Sequence, residues 1–163
     1  MKKILILCMA MVLPSACLAN DDQQLAKIAL EQAQTDLDAY SEALDACKKS
    51  ESTLPKDIFS GLSLTLDQKK LVMMYHATKA NYECAKPAMN QYLVSASILA
   101  HYAPEKAEGL SKGGSLVIYD AIKVFELAPR YNELPAGTRE KLGTVDVLRK
   151  PFNIISSADN LDI

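Results

Sequence analysis

Apolar residues recur along the first third of the chain at alternating intervals of four and three: Ala26, Leu30, Ala33, Leu37, Tyr40, Leu44 and Cys47. This is one face of an α-helix sustained for about three heptads, on a segment rich in the helix formers Ala, Gln, Glu and Lys. Leu25, Ile28 and Ala29 broaden the stripe beyond a coiled-coil seam. The pattern therefore predicts a helix from about Asp22 to Lys49 that covers the protein's own core. Asn20, Asp21 and Asp22 offer capping side chains and acidic residues for its first turn.

The connection SESTLPKDIFSGLS has turn chemistry at both ends: Pro55 suits the start of a short helix and Gly61 its stop. Thr65 followed by Gln68 is a capping box opening a second helix. Behind it, Leu71, Met74, Thr78, Tyr82, Ala85, Met89, Tyr92, Ala96 and Leu99 follow at intervals of three or four. The row passes Pro87 in phase, so a kink or a break into two helices is expected there. Met73, Ala77, Ala80 and Cys84 form an adjoining apolar row, which marks a central helix. His76 falls with Lys69, Lys79, Glu83, Lys86 and Asn90 on what this pattern makes the wet side, roughly 160° from Met74 and Thr78.

Beyond Tyr102, APEKAEGLSKGGS reads as a short helix and a Gly-Gly connection. Residues 115–128, capped by Ser115 and interrupted only by Asp120, Lys123 and Glu126, read as a nearly buried helix. Val117, Ile118, Ile122 and Val124 would also suit a strand. Pro129 and Pro135 end that element, and Thr138 caps a helix from about Arg139 to Lys150. The tail 151–163 carries Phe152, Ile154, Ile155, Leu161 and Ile163, apolar residues expected to dock on the bundle. The fold class is all-α, an irregular bundle of about four to six helices.

The N-terminus changes where this bundle is expected to reside. Lys2 and Lys3 precede an apolar run from Ile4 to Leu13, too short for a bilayer, and Cys17-Leu18-Ala19 places small residues before a cut at Asn20. Residues 1–19 read as a secretory signal peptide, leaving residues 20–163 as one helical domain in the periplasm. Lipidation of Cys17, which would make an outer-membrane lipoprotein, is the weaker reading, because Pro14 stands where that motif carries Leu. Removing nineteen residues from 163 leaves 144, enough for a real core. Losing Lys2 and Lys3 takes the formal charge from −2 to −4. With no basic patch, nucleic acid is not an expected partner.

The remaining cysteines are Cys47 and Cys84. An even pair in an exported chain reads as one disulfide. Cys47 ends the first helix, yet Cys84 lies about 28 Å along the second. Because bridged Cα atoms sit about 5.5–6 Å apart, the first helix must run either parallel to residues 66–84 or antiparallel to 85–102.

Candidate chemistry is sparse. There is no G-x-S-x-G, H-E-x-x-H, S-x-x-K or phosphate-loop motif, and SKGGS at 111–115 lacks the Lys-Ser/Thr ending. Among the 20 acidic residues nothing singles out a catalytic pair. His76 and Glu83 are about 10.5 Å apart in rise, too far to share one Zn²⁺, and Met73 would give only half of a Cu(I) site. No catalytic residue, metal or cofactor is assigned. The seven tyrosines, against three Phe and no Trp, suit half-buried rims and interfaces. Tyr75, His76, Lys79 and Glu83 are the candidate partner contacts. The sequence points to binding rather than catalysis, of the kind an immunity-type inhibitor of a periplasmic toxin or an envelope-assembly accessory performs. The alternative is a carrier of a small apolar ligand in a cavity around Met74, Met89 and Phe125.

Overall fold

The computed structural model describes residues 16–108 and 118–163, with side chains from Asp21 onward. The basic start, the apolar run and the SKGGS segment lie outside the described residues. Two long helices, α1 (Ala16–Lys49) and α2 (Leu66–Tyr102), are followed by a helical turn at residues 104–108. Then come α3 (Tyr119–Asn132), α4 (Ala136–Gly143), a 3-10 turn (Asp146–Arg149) and α5 (Ile154–Asn160). The all-α class and the Cys47–Cys84 disulfide hold, with the bridged Cα atoms 6.1 Å apart. Among the described residues no helix is long and apolar enough to cross a membrane.

Packing settles the direction of α1, which the disulfide by itself leaves open. Tyr40 and Cys47 pack with Ala85, Met89 and Tyr92, while Ala29 and Ala33 pack with Leu99 and Ala103. As numbers rise in one helix they fall in the other, so α1 lies antiparallel to residues 85–103. It begins at Ala16 rather than at the expected Asp22, so residues 20–22 lie within the helix rather than at its start.

Thr65 caps α2 as its sequence predicts: the Gln68 backbone N–H donates to Thr65 Oγ1 at 3.2 Å, and the Thr65 N–H donates to Gln68 Oε1 at 2.9 Å. α2 does not break at Pro87. The turns flanking that proline are held by Ala85 and Met89, both buried, and this packing outweighs one absent backbone donor. α3 likewise passes through Pro129, anchored by buried Leu127 and Tyr131 on either side, and ends at Asn132.

The N-terminal half of α2 buries the adjoining row of its sequence, Met73, Ala77 and Ala80, more deeply than the row through Met74. Its buried residues include Val72, Met73, His76, Ala77 and Ala80, while Met74 is 48% exposed. The face centred on these residues lies about 150° around the helix from the row that meets α1. The reason is that α2 is covered differently along its length, with α3 also packed against it. α1 packs on one side of its C-terminal half. A module built from residues 51–64 and 131–163 packs on the other side of its N-terminal half, forming a core of Leu54, Phe59, Leu134, Leu142, Leu148 and Phe152.

The expected single helix from Arg139 to Lys150 is instead α4 and the 3-10 turn. Leu142 and Leu148 are both buried, and six positions apart they would point about 120° apart on one helix. The chain must turn between them for both to reach the core. Residues 56–61 form a turn rather than a helix, closed by Gly61 at φ 72°, a conformation that favours glycine.

The tail docks. Ser52 and Phe152 form a short parallel bridge, with the Asn153 N–H donating to the Ser52 carbonyl at 2.9 Å. The Leu54 N–H donates to Ser157 Oγ at 3.0 Å, and Asn160 Nδ2 to the Leu54 carbonyl at 2.8 Å. These bonds satisfy backbone groups that the burial of Leu54 takes out of water.

Candidate functional site

Three of the four residues singled out in the sequence meet at one place. His76, Lys79 and Glu83 from α2 line a cleft of about 440 Å³ with Ala80, and its opposite wall is Gly143 at the end of α4 together with Leu148 and Arg149 of the 3-10 turn. Their spacing along α2 puts them on the side that the C-terminal module approaches.

His76 does not occupy the wet side; it is 6% exposed. Its Nε2 lies 3.0 Å from the Tyr131 hydroxyl, and its ring also hydrogen-bonds the Leu148 backbone. A ring N–H donated to the Leu148 carbonyl leaves the other nitrogen to accept from Tyr131, which is the full complement of a neutral imidazole. Burial pushes the His76 pKa down to about 4, with nearby Lys79 acting in the same direction and the Leu148 bond opposing it. Burial also raises Tyr131, with Tyr75 adding to the rise and Arg139 opposing it, so the phenol keeps the proton it donates. His76 thus ties α2 to α3 and to the 3-10 turn, from a buried position rather than the expected wet side.

Tyr75 stacks on Tyr131 with ring centroids 4.0 Å apart. The Lys79 ammonium lies 5.8 Å from the centre of the Tyr75 ring, a cation–π arrangement that orients the lysine over the cleft edge. Glu83 pairs with Lys86 at 3.2 Å. Arg149, a cleft residue that sequence spacing gave no means of finding, reaches Asp146 only at 3.9 Å, and both are largely exposed.

A second feature lies farther along the same side of α2. Val94 stands eighteen positions beyond His76, which is about five full turns, so the two share a side. There Val94 is 58% exposed, and Ile98 and Tyr102 follow it at intervals of four, also exposed. With Leu93, Asn90 and Ser97 they border an open surface hollow. The C-terminal module covers this side of α2 over residues 72–80 and leaves it uncovered over 90–102. The signal was present as an apolar row at spacing four, in phase with His76 rather than with Tyr92.

The residues suggested for an apolar carrier cavity do not gather. Met89 is buried against α1, whereas Met74 and Phe125 are exposed, Phe125 by 80%. Near the disulfide, Asp45, Glu51 and Asp120 border a smaller hollow with Lys48 and Asn81. Burial raises the pKa of Asp120. Among the described residues no three His, Cys, Asp or Glu side chains are grouped to hold a metal ion. Comparisons with protein-family models, curated proteins and solved structures find no match to this chain.

Proposed function

We propose that this chain is an exported periplasmic protein that acts by binding another protein, and that the partner docks on the open half of the α2 face. The observation that carries this reading is an inversion in the α1–α2 arm. Ala26, Ala29, Ala33 and Ala103 face inward, whereas Leu25, Ile28, Val94, Ile98 and Tyr102 face outward. Small side chains let the two helices approach closely but bury little apolar area. Each large outward residue, already about half covered, would contribute about 1 kcal/mol if it were fully covered. Val94, Ile98 and Tyr102 border one hollow on α2, and exposed apolar surface gathered in this way marks interaction sites.

The occupant that fits is an apolar-faced helix of the partner. Val94, Ile98 and Tyr102 form a ridge at spacing four, the geometry that interdigitates with a second helix. Export is supported by the basic and apolar start of the sequence and by the Cys47–Cys84 bridge, which suits an oxidising compartment.

A photo-crosslinking amino acid at Ile98, in cells expressing the full chain, tests the reading. It should give one adduct of discrete mass, while the same group at exposed Glu140 gives none. Absence of an adduct at Ile98, or identical adducts at both positions, overturns it.

A further inference from the structure

The cleft beside His76 is separate from the open α2 face, and its ionic balance is uneven. Glu83 is engaged by Lys86, whose ammonium reaches both carboxylate oxygens at 3.4 and 3.2 Å. Lys79 rests over an aromatic ring, and the ion pair of Arg149 is long and solvent-exposed. Two cations therefore line the cleft from elements about seventy residues apart in sequence, one on each wall. The floor adds no charge, because both ring nitrogens of His76 are committed to Tyr131 and Leu148. Ala80, Leu148 and Gly143 make the rest of the lining nonpolar and small.

The geometry points to a binding site for a carboxylate carried on a compact apolar body, with Lys79 and Arg149 flanking the carboxylate and the body lying against Ala80 and Leu148. A guanidinium presents a planar fork that matches a carboxylate, and a lysine opposite it supplies a second, mobile charge. At about 440 Å³ the cavity falls near the small end of the range of ligand pockets. It suits one amino-acid-sized group, either a free small acid or the C-terminal residue of a peptide.

The test titrates the full chain with N-acetyl-leucine, its uncharged amide, and the tripeptide Gly-Gly-Leu, following the NMR signals of Ala80 and Leu148. Both carboxylates should bind with a Kd on the order of a millimolar, and the amide at least tenfold more weakly. Lys79→Ala with Arg149→Ala should weaken the carboxylates at least tenfold while leaving the melting temperature nearly unchanged, since both side chains are exposed. Tighter binding of the tripeptide than of N-acetyl-leucine assigns a peptide terminus as the ligand, and the reverse order assigns a free acid. Equal binding of the amide, undiminished binding by the double variant, or inorganic phosphate binding as tightly as the carboxylates overturns the proposal.

Discussion

The His76 imidazole and the Tyr131 hydroxyl, 55 positions apart in sequence, meet at 3.0 Å inside the protein. With the Leu148 backbone on the other side of the ring, this contact joins three elements that share no local sequence. It accepts only a neutral histidine in its present hydrogen-bonding pattern, and stability should follow from that.

In the unfolded chain His76 takes up a proton near the usual 6.5, whereas in the fold it does so only near 4. Between those values the unfolded state binds more protons, so stability rises with pH. The contribution is complete above about 6.5 and is lost progressively as the pH falls toward 4, amounting to about 3 kcal/mol over that window. His76→Gln should flatten this part of the pH profile. Urea unfolding of both proteins at pH 7 and pH 4 measures the difference, and parallel profiles would contradict the account.

The disulfide closes a loop of 37 positions and joins the end of α1 to the middle of α2. Cys47 is buried and Cys84 is exposed, so reductant has access to the bridge. Replacing both with Ala should lower stability by about 4 kcal/mol on the loop-entropy model, measured as a fall in the urea midpoint, with a steeper slope because the unfolded chain is no longer cross-linked. A midpoint that stays put would show that α1 is held without the bridge.

Phe152 is 1% exposed and sits where the tail bridges to Ser52. Phe152→Ala should cost about 3–5 kcal/mol. Hydrogen exchange should locate the loosening in residues 51–64 and 131–163, leaving the α1–α2 arm protected. Uniform loss of protection would show that the arm and the module unfold as one unit.

Much of this architecture was legible in the sequence, because it is written in local periodicity. The α1 stripe, the Thr65–Gln68 cap, the disulfide and the docking of Phe152 each follow from residues close together or from a single pair. What was not legible depends on which face of α2 each distant segment chooses. One uninterrupted phase through Pro87 implies one core, and that phase puts His76 on the wet side. A polar side chain is compatible with burial when its partners arrive from elsewhere, and neither Tyr131 nor Leu148 carries a local mark of that role. Arg149 joined the cleft for the same reason: the break after Gly143, forced by burying both Leu142 and Leu148, sets its position.

The most direct measurement of the central claim is the native size of the protein recovered under mild conditions, compared between wild type and Val94→Asp with Ile98→Asp. Both positions are exposed, so the substitutions leave the fold intact by circular dichroism and melting temperature. The account predicts that wild type elutes in a complex larger than the free chain and that the double variant elutes as the free chain. Elution of both at the same size would contradict it.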